Sequence, residues 1–150
     1  MKLSKNLSLS EVIKSNTAIK NGIDNSPTLE HLKNLQILAE KIFQPIREHF
    51  GVPIGISSGY RSKALNQAIK GSSKTSQHCS GQALDLDADI FGGVTNKEIF
   101  DYIVENLDFD QVINEFNYSW VHVSYNEKKE NRKQVLKAYK ENGKTKYGKV

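Results

Sequence analysis

The chain has 150 residues, of which 37% are hydrophobic and 25% charged, and a net charge of +4. That length allows one domain with a real core, the composition is that of an ordinary soluble protein, and no apolar run approaches the roughly 20 residues needed to cross a bilayer. The single cysteine, Cys79, excludes an intrachain disulfide.

Met1 to Leu7 lacks the apolar core of a secretory signal, so synthesis in a cytoplasm is expected. Ser8 or Ser10 is placed to cap a short helix through Glu11–Lys14, and residues 21–25 read as loop. Ser26-Pro27 reads as an N-cap followed by proline at the first helical position. Leu29, Leu32, Leu35, Leu38, Ile42, Phe43 and Ile46 then recur at helical spacing. This predicts the main amphipathic helix, kinked near Pro45 and stopped at Gly51.

Val52–Ser57 reads as a short strand, Gly59–Ser62 as a turn and Ser62–Ile69 as a short helix. A polar loop is expected over Lys70–Ser80, with substrate selection expected from loops such as 70–75 and 90–94. In Ala83–Asp89, Ala83, Asp85 and Asp87 share one strand face and Leu84, Leu86 and Ala88 the other, which predicts a strand with one buried face. Thr95-Asn96-Lys97-Glu98 is a capping box opening a helix through Ile99, Ile103 and Leu107. Gln111–Phe116 and Trp120–Tyr125 read as paired strands. Gln134–Lys140 is read as a strand turning at Asn142-Gly143 in preference to a helix. The whole predicts an α+β fold: a small antiparallel sheet, helices packed on one side and a zinc site at the sheet face. One domain is expected over residues 1–150, with residues 1–25 leading in and 126–150 forming a basic C-terminal segment. That segment is suited either to a polyanionic partner or simply to solvent.

The chemistry lies in Ser76-Gln77-His78-Cys79-Ser80-Gly81-Gln82-Ala83-Leu84-Asp85, followed by a lone His122 in Trp120–Ser124. Two imidazoles and one carboxylate make a three-ligand zinc set that leaves a fourth position for water. His78 meets Asp85 if it ends a loop while Asp85 lies on the next strand; Gly81 supplies the turn. For a general base, Glu115 leads and Asp87 and Asp110 are held in reserve. A two-residue turn at Tyr118-Ser119 would place Glu115 directly across from His122. Arg61 is suited to a substrate carboxylate or an oxyanion. Tyr60 and Ser76 are taken as further substrate contacts, Ser76 alternatively as orienting a ligand. Cys79 beside His78 is set aside as a nucleophile because no second histidine is placed to serve it.

These residues resemble the zinc D-Ala-D-Ala carboxypeptidase family, which includes D,D-dipeptidases and phage endolysins that cut between L-Ala and D-Glu. The resemblance rests on Ser58–Ser62, Leu65-Asn66, the Ser76–Asp85 motif and Trp120–Ser124, and spans roughly residues 27 to 125. It implies His78, Asp85 and His122 as zinc ligands and Arg61 as the arginine that stabilises substrate or transition state. Many members carry the acid/base carboxylate three residues before the last histidine, where this chain has Ser119; Glu115 in Ile113–Phe116 fits the shorter phage-type members. The implied function is a monomeric zinc peptidase acting on peptidoglycan stem peptides at the bacterial cell wall. It would be an endopeptidase of lysis or a carboxypeptidase, with no membrane insertion and no specific nucleic acid. The alternative is a wall-binding module that keeps zinc for stability.

Overall fold

The computed structural model describes residues 1–69 and 72–150. The chain opens with a small hairpin, β1 (Lys2–Ser4) and β2 (Leu7–Ser8), then short helices α1 (Leu9–Ile13) and α2 (Asn16–Lys20). Leu3, Leu7 and Val12 are buried, so this lead-in is part of the core. The expected long helix is three joined pieces: α3 (Leu29–Leu38), a one-turn π-helical segment (Ala39–Phe43) and α4 (Gln44–Phe50). Thr28, two residues past the expected cap, accepts the His31 N–H, so Ser26-Pro27 lies outside the helix. Proline lacks an N–H and its ring crowds the carbonyl four residues back. The widened turn absorbs Pro45: the Gln44 N–H reaches Ala39, five residues back. Gly51 ends the helix with a positive φ of 67°, as expected.

Next come β3 (Gly55–Ser58), α5 (Lys63–Ala68), a 3₁₀ turn (Gln77–Ser80), β4 (Ala83–Asp87) and a second 3₁₀ turn (Ala88–Ile90). The expected polar loop over Lys70–Ser80 includes Lys70 and Gly71, which lie outside the described residues. α6 (Asn96–Asn106) begins at the capping box, with both hydrogen bonds present between Thr95 and Glu98. β5 (Gln111–Glu115), β6 (Trp120–Ser124), β7 (Gln134–Glu141) and β8 (Lys144–Lys149) complete the chain. Asn142 and Gly143, both at positive φ, turn β7 into β8.

The sheet is larger than expected and not wholly antiparallel. Six strands run in the order β3-β4-β6-β5-β7-β8, and β5 pairs with β7 in parallel. The segment between β6 and β7 brings the chain back beside β5. There Lys133 N–H bonds Phe109 O and Gln134 N–H bonds Asp110 O. Leu84, Leu86, Val112, Val121 and Val123 face Leu35, Leu38, Ile42, Ile99 and Ile103, so the helical layer covers one side of the sheet. β4 is not the half-exposed strand that its alternation suggested. Ala83 is fully buried and Asp85 nearly so, because the 3₁₀ turn carrying His78 lies over their face. Among the described residues no helix is long and apolar enough to cross a membrane.

Candidate metal centre

The site sits on the sheet face opposite the helices. Asp85 of β4 and His122 of β6 are direct cross-strand partners, so their side chains project from the same face. His122 Nδ1 lies 3.0 Å from Asp85 Oδ1, and His78 Nε2 lies 3.3 Å from the same oxygen. Ligand atoms of all three residues fall within 4.8 Å of one another. Bonds of 2.0–2.1 Å in a tetrahedron hold ligand atoms about 3.3 Å apart, so this donor set fits a small divalent ion. Burial alone would raise the Asp85 carboxyl, but the imidazoles of His78 and His122 outweigh it and hold the carboxyl below its usual range.

His78 reaches the sheet because two glycines permit close approaches. Gly81 closes the 3₁₀ turn at φ 72°, and a Cβ there would lie 2.6 Å from the carbonyl oxygen of His31. Gly59 presses against α1, where a Cβ would collide with the Val12 carbonyl oxygen. That packing delivers the Gly59 carbonyl to His78 Nδ1 at 2.7 Å. With the carbonyl accepting, Nδ1 carries the proton and Nε2 presents its lone pair to the site. Gly81→Ala is therefore expected to cost about 2 kcal/mol or more, combining left-handed strain with a backbone clash. The checks are a lowered thermal midpoint of the metal-free protein and weakened metal affinity in calorimetry, since the turn that presents His78 must shift.

Ser76 accepts the His78 N–H at 3.2 Å, which makes it a cap of the ligand-bearing turn. Tyr60 is 4% exposed and its hydroxyl bonds His31 Nδ1 at 2.9 Å. It lines a cavity of about 670 Å³ beside α5 with His31, Lys63 and Cys79, and none of His78, Asp85 and His122 lines that cavity. Burial pushes the half-buried Cys79 thiol up, away from a reactive thiolate.

Arg61 reaches the centre from the turn after β3. Its Nη2 lies 3.7 Å from Asp85 Oδ2, its Nε donates to Ser58 Oγ at 3.2 Å, and its side chain is 15% exposed. Sequence reasoning missed the residue that shapes this turn. Asn25, taken as loop, is buried and donates to the carbonyls of Ile13 and Tyr60 while accepting the Ser62 N–H. Asparagine at the end of a loop with no glycine or proline beside it carried no signal of that role.

Glu115 is buried on the same face, one pair along from the histidine. Ile113 is the partner of His122, and Glu115 is the partner of Trp120. The connection is four residues, Phe116–Ser119, not the expected two. Phe116, Asn117 and Tyr118 all have positive φ, held by Asn114 Oδ1 on the Tyr118 N–H and by Asn96 Nδ2 on the carbonyls of Tyr118 and Ser119. The register thus differs from expectation by two residues, and a shift of two preserves the face. Burial, reinforced by the negative charge of Asp85 and partly offset by His122, pushes the Glu115 carboxyl up to about 7.

The other two carboxylates are engaged elsewhere. Asp87 accepts the Asp89 N–H and one Asn96 Nδ2 proton, capping the turn after β4. Asp110 is gripped by Arg132 through two charged hydrogen bonds of 2.9 and 2.7 Å and also accepts from Gln77. It ties the His78 turn to the segment entering β7.

A protein-family model described as Peptidase M15 matches residues 5–124, which include Arg61, His78, Asp85, Glu115 and His122. No curated protein matches the chain.

Proposed function

The chain belongs to the M15 peptidase family, the family of zinc D-Ala-D-Ala carboxypeptidases, and on that premise we propose that it is a zinc peptidase cutting the stem peptide of bacterial peptidoglycan. One observation carries the reading: His78 Nε2 and His122 Nδ1 meet on Asp85 Oδ1, with buried Glu115 one pair along on the same face. In this reading residues 1–150 form one domain. The lead-in contributes core residues, and β7 extends the sheet.

His78, Asp85 and His122 would hold the zinc. When bound, it supplies Lewis-acid chemistry, acidifying water and polarising a carbonyl. Glu115 takes the proton of the attacking water and returns it to the leaving amine. Burial lifts this carboxyl in the metal-free chain, and a bound cation would bring it back toward the carboxylate form that accepts the proton. Arg61 presents a fixed guanidinium to the oxygen that gains negative charge. Its fork is aimed by Ser58 and by a long 3.5 Å contact to Asn66 Oδ1.

Mass spectrometry of defined muropeptides incubated with zinc-loaded protein tests the function. Release of a terminal D-alanine identifies a carboxypeptidase, and a cut between L-Ala and D-Glu or at a cross-bridge identifies a wall-lytic endopeptidase. Intact substrates at every zinc loading would overturn the reading. Arg61→Ala should lower kcat/KM by ~10²–10³-fold with metal content retained. Arg61→Lys should recover only part of that, since a point charge cannot replace the fork.

A further inference from the structure

The β7–β8 hairpin lies beyond the matched span of residues 5–124, yet its register aligns it with the site. Glu115 pairs with Ala138, and Ala138 pairs with Tyr147. Trp120, Glu115, Ala138 and Tyr147 therefore form one row across four strands, all on the face that carries Asp85 and His122. Ala138, small and 2% exposed, lies between Glu115 and Tyr147 in that row. Tyr147 is 59% exposed. Its phenol is pushed up first by partial burial and then by the charges of Glu115 and Asp85.

The rest of the hairpin's site face has one sign of charge. Lys149 pairs with Leu136 and Lys140 with Thr145, so the two lysines bracket Tyr147. Gln134, Leu136, Ala138 and Thr145 complete that face, which carries no acid. Lys140 Nζ also lies 5.7 Å over the ring of Phe116, which packs against Trp120. An exposed tyrosine alone would mean little. Set in the row of the acid/base residue and flanked by two cations, it has a defined complement.

We propose that the Tyr147, Lys140 and Lys149 face of the hairpin is a substrate shelf for the leaving-amine side of a carboxylate-bearing peptide. This rests on the peptidase reading, in which Glu115 protonates the leaving amine and so marks the side on which the departing segment lies. Strands are spaced about 4.8 Å apart, so β8 lies roughly 10 Å from β5, the reach of two to three extended residues. The shelf thus selects for a departing segment longer than one residue.

The test uses two peptides with the same acyl portion. One departs as a single residue, the other as three residues bearing carboxylates. Zinc-loaded wild type should favour the longer peptide, with the gain in KM. Tyr147→Ala and Lys149→Glu should each raise KM for the longer peptide by ~10-fold and leave the shorter one within about twofold, while Tyr147→Phe, which keeps the ring, stays near wild type. Equal losses on both peptides, or none, would overturn the shelf. Should wild type cut neither peptide, the peptidase reading fails separately, and binding still decides the shelf. Trp120, the only tryptophan, stands in the same row and reports occupancy by its emission. A response to the longer peptide in wild type that is lost in Tyr147→Ala supports the shelf, and no response in wild type refutes it.

Discussion

Replacing Glu115 with glutamine is expected to lower kcat by ~10²–10⁴-fold, the range for removal of a positioned general acid/base. Metal content should be unchanged, because the glutamine leaves the His78–Asp85–His122 set untouched. The same substitution should stabilise the metal-free protein at alkaline pH. Glu115 is pushed from 4.5 up to about 7 in the folded chain, chiefly by burial and then by Asp85. The folded state therefore binds this proton more tightly than the unfolded state. Its contribution is fully present below about 4.5 and is lost as pH rises through about 7. A shift of that size corresponds to about 3 kcal/mol. Metal-free Glu115→Gln should thus melt well above metal-free wild type at pH 8, with a smaller gap at pH 5. A bound cation would pull Glu115 down and shrink the gap. Calorimetry at the two pH values, with and without zinc, reads all of this. An equal gap at both pH values would mean that Glu115 is not held in a desolvated, negatively charged setting.

Asp85→Asn should remove activity by removing the metal. The carboxylate is the only negative charge of the ligand set, and both imidazoles converge on its Oδ1 at 3.0 and 3.3 Å. Altering partners outside the ligand shell already costs ~10–100-fold in metal affinity, so loss of the anionic ligand should cost at least ~100-fold. The variant should still fold, since Leu84 and Leu86 on the opposite face of β4 keep their core contacts. Zinc titration together with far-ultraviolet circular dichroism separates the two effects. Loss of activity with full zinc occupancy would contradict the placement of Asp85 in the metal shell. Side by side, the two variants distinguish chemistry from metal retention: Glu115→Gln should keep zinc while losing most turnover, and Asp85→Asn should lose both.

Much of this site could be read along the chain because its spacings are local. His78 and Asp85 are seven residues apart with Gly81 between them, and the turn that joins them is completed by neighbours in sequence. The alternation around Asp85 set its face, since the side-chain period of a strand is two, while His122 joins that face through the pairing of β4 with β6. Glu115 illustrates the limit of that reasoning. Parity placed it on the right face, but the pairing depended on loop length. The four-residue connection, with three successive residues at positive φ, is held by Asn114 and Asn96 and not by a glycine signature. The assignments of Asp87 and Asp110 show the same limit from the other side. Glu115 ranks above them on an assumed turn and on the family resemblance, whereas the occupation of Asp87 by Asn96 and of Asp110 by Arg132 is a matter of long-range contact.

By itself, then, the sequence determined which residues are candidate ligands and the helical and strand periods, consequences of residue type and of backbone geometry over a few residues. Only the tertiary structure decided what depends on segments far apart in the chain. The buried Asn25 that shapes the Arg61 turn, the parallel pairing of β5 with β7, and the row that aligns Tyr147 with Glu115 across Ala138 are of this kind. A parallel pair has no hairpin to announce it, and its register comes from the packing and hydrogen bonds of a returning chain.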